Sequence, residues 1–259
     1  MPLINLPGLE TDRVSVFAPD RRGSLIVALD FPTGAAALEF VRRLDNLLQW
    51  FKIGLELYLS EGNNIIDAIL GLGHSVFLDL KLHDIPNTVA GAVRSVASTG
   101  AGMLTVHAAG GPAMLAAAQE AASALASAPK LLAVTVLTSM DASQLSATGI
   151  NASPREQVSR LAEIAYNSGL RGFVASSEEI TALRQTHPDA TLVIPGIRPA
   201  GAAIGDQKRI ATPAAAIAAG ADYLVVGRPI TQASDPAAAA QSILDEIASA
   251  AAPERVHRP

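Results

Sequence analysis

The sequence predicts an α/β protein that folds as a single (β/α)8 TIM barrel. Eight short apolar runs recur along the 259 residues, and stretches with helical character separate them. The runs are continuous instead of alternating with polar residues, which is typical of parallel strands covered on both faces. A doubly wound open sheet is the alternative, but eight regular strand–helix units favour closure into a barrel.

The predicted strands are rich in β-branched and aliphatic residues. They span residues 24–30, 50–54, 75–81, 103–108, 131–138, 172–177, 191–197 and 223–228. The sequence contains no linker rich in Pro, Gly and Ser that would divide the chain. We therefore expect residues 1–259 to form one barrel domain, with an N-terminal arm over 1–23 and a tail over 252–259.

The segments between the strands carry helix signals. Residues 34–48 place arginines on one face and apolar side chains on the other, namely Leu38, Val41, Leu44 and Leu48. A second helix over 152–169 has Ser153 as its N-cap and Pro154 at its first position, and it ends at Gly169. An alanine-rich helix near 236–250 closes the series.

Composition excludes several classes of function. A net charge of -5 and an aromatic content of 4% provide neither the basic face nor the stacking platform of a nucleic-acid-binding protein. The absence of cysteine excludes disulfides, thiolate metal sites and a cysteine nucleophile. The N-terminus lacks the pattern of a signal peptide, and no apolar run reaches the roughly 18 residues of a membrane span. We expect a soluble cytoplasmic protein that binds neither nucleic acid nor membranes.

Polar residues follow the apolar runs at their C-terminal ends. In a (β/α)8 barrel this is the edge that carries the active site. The residues are Asp30, Lys52, Asp79, Lys81, His107, Thr138, Ser176, Ser177, Arg198 and Arg228. Charges of both signs therefore converge on one rim, which is more than a solvated edge requires and predicts a functional site.

Three charged residues end the third predicted strand, in the segment VFLDLKLHDIPNT. Asp79 and Lys81 are two residues apart and point to the same face of the strand. The sequence allows an alternating row of charges, Lys52, Asp79, Lys81 and Asp84. The row is either a structural ion-pair network or part of a catalytic site. Flanking carboxylates favour the ammonium form of Lys81, which suits proton donation better than attack on a carbonyl.

A second cluster follows the last two strands, where barrels often hold phosphate. The segment GIRPAGAAIGDQKR (196–209) supplies Arg198 and three glycines that allow a mobile loop. The segment VVGRP supplies the backbone N–H of Gly227 and the side chain of Arg228. Because arginine forks match phosphate oxygens, these residues predict an anion site. A glycine-rich surface loop with incidental arginines is the alternative.

Other motifs carry weaker signals. The segment GLGHSV (71–76) begins like a dinucleotide fingerprint but precedes a strand, so we interpret it as a turn. We expect His83 and His107 to be hydrogen-bonded structural residues. No spacing of His, Asp and Glu resembles a metal site, so we expect no bound metal.

Six motifs together resemble the orotidine 5′-monophosphate decarboxylase family. They are LIVALD, FKIG, DLKLHDIPNT, VTVLTSM, IPGIRP and YLVVGRPIT. They occur in the family's order between about Leu25 and Thr231, and none departs from the family's pattern at a motif position. The resemblance implies a carboxy-lyase that converts orotidine 5′-monophosphate (OMP) to UMP, the last step of de novo pyrimidine biosynthesis.

The resemblance implies a catalytic tetrad in which Lys81 donates the proton. The tetrad comprises Lys52, Asp79, Lys81 and Asp84. In the family Asp84 and Thr88 reach into the neighbouring subunit's site, so the resemblance implies a homodimer with two shared sites. It implies neither a metal nor an organic cofactor.

The resemblance also implies how OMP is bound. Asp30 and Lys52 would bind the ribose, Thr138 would meet the pyrimidine, and Ile85 would add a further contact to the substrate. The phosphate contacts that it implies are Arg198, Gln207, Gly227 and Arg228.

Two other functions are alternatives. Magnesium-dependent sugar-phosphate decarboxylases or aldolases of the same barrel superfamily resemble this chain in the Asp–x–Lys–x–x–Asp pattern of strand three. Those enzymes have an acidic residue at the end of strand two, where this chain has Lys52, which would repel a metal ion. A non-catalytic nucleotide-binding barrel would retain the phosphate residues but lose the tetrad, and all four tetrad residues are present.

Overall fold

The structure, a computed structural model, describes residues 21–44, 47–199 and 211–250. These residues form a closed barrel of eight parallel strands in chain order. Ile26 of the first strand pairs with Val225 of the last, which closes the barrel. The predicted (β/α)8 barrel is therefore confirmed, and the open-sheet alternative is wrong. Most of the predicted arm and the whole predicted tail lie outside the described residues.

All eight predicted strands are present, and they are numbered β1 to β8. Their bounds are Leu25–Ala28, Trp50–Gly54, Ser75–Leu82, Met103–His107, Lys130–Val134, Gly172–Val174, Thr191–Ile194 and Tyr223–Val226. Every neighbouring pair in the barrel is parallel, from β1 with β2 to β8 with β1. Parallel pairing brings the C-terminal ends of all the strands to one rim.

Helices pack around the outside of the barrel and are numbered α1 to α11. Their bounds are Gly34–Arg43, Leu55–Glu61, Asn64–Gly71, Pro86–Ala97, Gly111–Ser123, Ala142–Ala147, Pro154–Asn167, Ile180–Thr186, Pro213–Ala218, Arg228–Thr231 and Pro236–Ser249. Two short 3-10 helices, Arg21–Ser24 and Ala108–Gly110, precede β1 and α5. Within the described residues, no helix is both long enough and apolar enough to cross a membrane.

The helix signals in the sequence agree with the observed ends. Helix α7 begins after Ser153, whose Oγ accepts the N–H of Glu156 while Glu156 accepts the N–H of Ser153. This capping box satisfies two backbone donors at the start of the helix. Gly169 follows the helix with a φ of 95°, a left-handed conformation that glycine adopts without strain. Helix α1 is shorter than predicted and ends at Arg43.

Several strands end before their predicted runs do: β5 ends at Val134, β6 at Val174 and β7 at Ile194, whereas the predicted runs extend to residues 138, 177 and 197. Directly after β5, the N–H and the Oγ1 of Thr135 both donate to the carbonyl oxygen of Val174 in β6, at 3.2 and 2.9 Å. Val136, Leu137 and Thr138 follow and line a cavity at the C-terminal rim. A continuous apolar run does not distinguish a strand from the apolar segment that follows it.

Two layers of apolar side chains position the rim. Inside the barrel, the buried residues are Ile26, Ala28, Phe77, Met103, Leu132, Val193 and Val225. A larger cluster fills the space between the strands and the surrounding helices. The interior is therefore a packed core and not a pore, and the charged residues predicted for the rim lie above it, at the C-terminal ends of the strands.

Candidate active site

The charged residues at the ends of β1, β2 and β3 meet around one carboxylate. Lys81 Nζ lies 2.8 Å from Asp79 Oδ1, and Lys52 Nζ lies 3.6 Å from Asp79 Oδ2. Lys52 Nζ also lies 3.3 Å from Oδ1 of Asp30. The row predicted from the sequence is therefore present for Lys52, Asp79 and Lys81, and it extends to Asp30.

Burial makes these contacts strong. The side chains of Lys52 and Asp79 are each 12% exposed, and that of Lys81 is 30% exposed. Burial alone would raise the pKa of Asp79, but the charges of Lys52 and Lys81 and the hydrogen bonds from Lys81 and Thr105 outweigh it. The pKa of Asp79 is therefore lowered, and the carboxylate is ionised at neutral pH.

Of two glycines at the rim, Gly54 leaves room for a charged group, whereas the space at Gly227 would accept a Cβ. A Cβ at Gly54, the last residue of β2, would lie 3.0 Å from Lys52 Nζ. A Cβ at Gly227, after β8, would lie 3.5 Å from Asp30 Oδ2. At Gly54 a side chain would force the ammonium to move.

The backbone of β3 is irregular where it carries the charges. The register between β3 and β4 shifts between Leu78 and Leu82. Within this shift Lys81 has a φ of 51°, the only positive φ of a non-glycine residue among those described. Such a conformation is unfavourable for a side chain with a Cβ, and residues held in it cluster at functional sites.

Thr105 of β4 joins this irregular segment to the carboxylate. Its Oγ1 accepts the N–H of Lys81 at 2.8 Å and donates to Asp79 Oδ1 at 3.0 Å. Thr105 is not among the site residues that the sequence predicts. The available signal was a hydroxyl inside the apolar run MLTVHA, but threonine is also an ordinary strand residue.

Asp84 stands apart from the row within this chain. Its side chain accepts the N–H of Ile85 at 2.6 Å and makes no ion pair with any residue that the structure describes. Asp84, Ile85 and Thr88 are all exposed, in the segment between β3 and α4 and in the first turn of α4. The predicted four-membered row is therefore wrong for a single chain, in which Lys81 is the last member.

A cavity of about 180 Å³ opens beside the row. Lys52, Asp79, Lys81 and Thr138 form its polar side. The rest of the lining is apolar, namely Phe77, Val134, Val136, Leu137, Val174, Ala175, Pro195 and Val225. An apolar lining beside one charged side suits an apolar ring that carries an ionised substituent.

Two arginines lie at the ends of β7 and β8. Arg198 is buried, and its Nη1 donates to the carbonyl oxygen of Ile197 at 2.8 Å. Arg228 begins α10 directly after Gly227. Burial, and next the positive charge of Arg228, lower the pKa of Arg198. Since like charges repel, an anion near both guanidiniums would stabilise the pair. Gln207 lies outside the described residues.

The two rim histidines face each other. The ring centroids of His83 and His107 are 5.5 Å apart. Burial, and then the charges of His83 and Lys81, lower the pKa of His107, so its ring is neutral at neutral pH. Neither ring makes a hydrogen bond with another residue that the structure describes, so the prediction of hydrogen-bonded structural histidines is wrong in that respect.

Fold and site together define a (β/α)8-barrel enzyme with a charged cavity at its C-terminal rim. A sequence model of the "Orotidine 5'-phosphate decarboxylase / HUMPS family" matches residues 23–243. The chain therefore belongs to this family, as its motifs predict.

Similar proteins carry the decarboxylase name. "Orotidine 5'-phosphate decarboxylase" of Halorhodospira halophila is 53% identical over 238 residues, covering 92% of this chain and 100% of that protein. The protein of the same name from Pseudomonas aeruginosa is 50% identical over 224 residues, covering 86% and 97%. The crystal structure of orotidine 5'-phosphate decarboxylase from Lactobacillus acidophilus has a TM-score of 0.76 at 37% identity, covering 87% of this chain and 99% of that one.

Proposed function

We propose that this chain decarboxylates OMP to UMP and that Lys81 supplies the proton that replaces the carboxylate. The observation that carries the proposal is a buried Asp79 held between the ammoniums of Lys81 and Lys52, at 2.8 and 3.6 Å, on the wall of the rim cavity. Membership of the family and the names of the similar proteins support the same reaction.

The reaction needs a cation at the reacting carbon. Breaking the bond between the ring carbon and its carboxylate releases CO2 and leaves an electron pair on that carbon, where no adjacent carbonyl delocalises it well. The fixed ammonium of Lys81 stabilises the developing charge. Lys81 Nζ then gives a proton to the carbon, and solvent returns a proton to the amine. Asp79, 2.8 Å from Lys81 Nζ, holds the ammonium in place until that transfer.

Asp79 also contributes by facing the departing carboxylate. For two carboxylates about 4 Å apart, the repulsion is about 4 kcal/mol at an effective dielectric constant near 20. The repulsion disappears as neutral CO2 forms, so it contributes up to about three factors of ten in rate. We assign the larger share to Lys81, because its charge acts on the electron pair that develops in the transition state.

The remaining residues bind the substrate. Asp30 and Lys52, which contact each other at the rim, bind the ribose hydroxyls. Thr138 meets the pyrimidine from the cavity wall. The phosphate is held by Arg198, Gln207, Gly227 and Arg228. These phosphate contacts are remote from the reacting carbon. Their binding energy therefore serves to hold the pyrimidine ring in position against Lys81.

The proposed active form is a cytoplasmic homodimer of single-domain chains. Asp84, Ile85 and Thr88 are exposed on the surface beside the rim, and Ile85 is 66% exposed. An apolar side chain exposed to this degree, next to a carboxylate that makes no ion pair with any described residue, suits an interface. In the proposed dimer Asp84 and Thr88 complete the partner's site.

Mixed dimers test this arrangement. Lys81→Ala and Asp84→Ala are each expected to be inactive alone, because each lacks one residue at both sites of the dimer. Random mixing of the two variants should restore about a quarter of the wild-type activity, since half of the dimers are mixed and each has one intact site. Persistent inactivity after mixing, with dimers shown by sedimentation, would place Asp84 in its own chain's site or outside the mechanism.

The magnesium-dependent alternative is less compatible with the rim. Lys52 occupies the end of β2, and its ammonium lies 3.6 Å from Asp79, where a divalent cation would need an acidic ligand. The first test is an ultraviolet assay of the purified protein with OMP in the presence of EDTA, with UMP measured by chromatography. We expect loss of OMP and an equal yield of UMP. A folded protein that leaves OMP unchanged would contradict the proposal and would favour the magnesium-dependent reaction on a sugar phosphate.

A further inference from the structure

One buried hydroxyl connects the two central charged residues of the site. Thr105 lies in the middle of β4 and is fully buried. Lys81 N lies 2.8 Å from its Oγ1, and Asp79 Oδ1 lies 3.0 Å from the same atom. A backbone N–H can only donate, and an ionised carboxylate can only accept. The hydroxyl therefore accepts from Lys81 and gives its single proton to Asp79, which fixes its orientation.

This contact replaces sheet hydrogen bonds that β3 has lost. The register between β3 and β4 shifts between Leu78 and Leu82, so Lys81 lies where the regular ladder is interrupted. Its backbone is in the left-handed region, with a φ of 51°. A residue with a Cβ holds this conformation only when surrounding contacts impose it. Thr105 supplies such a contact, because it accepts the N–H that the ladder leaves unpaired.

The same hydroxyl also orients the carboxylate. Asp79 Oδ1 accepts hydrogen bonds from the Thr105 hydroxyl and from the Lys81 ammonium, while Oδ2 lies 3.6 Å from Lys52 Nζ. Without the Thr105 donor, rotation of the carboxylate about its last torsion would be restrained by the two flexible lysine side chains alone. Thr105 does not line the cavity, so it acts on the site only through Asp79 and Lys81.

We propose that Thr105 is a positioning residue that sets the direction of the Lys81 ammonium and of the Asp79 carboxylate for the reaction. The proposal rests on the function proposed above. The proton of Lys81 must reach one particular ring carbon, and a small displacement of the donor lowers the rate without weakening the grip on ribose and phosphate. Loss of the hydroxyl should therefore lower kcat much more than it changes KM.

The test compares Thr105→Val, which keeps the shape and removes the hydroxyl, with Thr105→Ser, which keeps the hydroxyl. Thr99→Val is a matched control, since Thr99 Oγ1 also makes one donated and one accepted bond, to Val96 O and from Ala101 N. Thr99 precedes β4, at the opposite end of the barrel from the rim. All three variants are assayed with OMP for kcat and KM, and their melting temperatures are measured.

We expect kcat of Thr105→Val to fall by about 10- to 100-fold, the loss typical of hydrogen bonds to a charged group, with KM changed by less than about threefold. Thr105→Ser should retain kcat within about fivefold, and Thr99→Val should match wild type. A Thr105→Val enzyme with wild-type kcat, or equal losses in the valine and serine variants, would overturn the role of Thr105. Absence of turnover in the wild-type protein would instead overturn the proposed function, and the role of Thr105 with it.

Discussion

Replacing Asp79 with Asn isolates the charge at the centre of the site. Asparagine keeps the size of the side chain and removes the negative charge between Lys52 and Lys81. We expect turnover to fall, because Lys81 loses the carboxylate that lies 2.8 Å from its ammonium and keeps it oriented. The informative measurement, however, is equilibrium binding of OMP and UMP to the inactive variant.

The expected change in binding follows from the repulsion between two carboxylates. UMP lacks the carboxylate of OMP, so the ratio of the two Kd values isolates the contact with Asp79. The repulsion of about 4 kcal/mol at 4 Å sets an upper limit of about a thousandfold on the change in that ratio. The ammoniums of Lys52 and Lys81 offset part of it. We therefore expect Asp79→Asn to tighten the binding of OMP relative to that of UMP by between about tenfold and a thousandfold.

Isothermal titration calorimetry with both nucleotides provides the measurement, and Asp189→Asn is the control. Asp189 is a half-exposed carboxylate that pairs with Arg171 at 3.4 Å, away from the rim. The control should bind both nucleotides as the wild type does. An unchanged ratio of Kd values in Asp79→Asn would refute the repulsion and leave Asp79 with an orienting role alone.

Stability gives a second measurement on the same variant. Leaving Lys81 without its buried carboxylate partner should cost about 3 kcal/mol of unfolding free energy at neutral pH. The pKa of Asp79 is lowered in the folded protein from its ordinary value of 3.8. The stabilisation of the folded protein by ionised Asp79 is therefore fully present above pH 3.8. It is lost as the pH falls through the lower pKa that Asp79 has in the folded protein. Urea unfolding should show the difference between wild type and Asp79→Asn shrinking below about pH 4. A difference that stays constant with pH would contradict this assignment.

Two further variants test the phosphate grip and the helix cap. Arg228→Ala should raise KM for OMP by about 10- to 100-fold through loss of a charge-assisted contact with the phosphate. The control is Arg160→Ala, which removes an exposed arginine on α7 and should leave KM unchanged. Unchanged kinetic constants in Arg228→Ala would refute the assignment. Ser153→Ala removes the cap of α7 and should lower the unfolding free energy by about 1 kcal/mol in urea, without changing kcat. Ser159→Ala in the middle of the same helix is the control, and an equal loss there would show that the cap is not the cause.

The fold was predictable because its signals are local and repeated. Eight continuous apolar runs separated by amphipathic segments determine strand number, parallel pairing and closure. Ser153, Pro154 and Gly169 marked the ends of α7, since each has a backbone preference that acts within one turn. The end of β5 was not predictable, because the apolar run continues through Val136 and Leu137, beyond the last strand residue, Val134.

The site was predictable as far as strand geometry determines it. Period-two alternation placed Asp79 and Lys81 together, and adjacency of β2 and β3 brought Lys52 to them. The left-handed backbone of Lys81 and its contact with Thr105 depend on a register shift between strands, for which the sequence has no local signal. The position of Asp84 outside the row depends on how the chain turns into α4.

The central claim is that the ammonium of Lys81 carries the reaction, and the kcat of Lys81→Ala tests it most directly. Wild type, Lys81→Ala and Lys130→Ala are assayed with saturating OMP, and circular dichroism confirms that each is folded. Lys130 is the control, because it begins β5 at the opposite end of the barrel and contacts Thr191. We predict that Lys81→Ala loses nearly all turnover and that Lys130→Ala matches wild type. Turnover of Lys81→Ala near that of wild type would contradict the account.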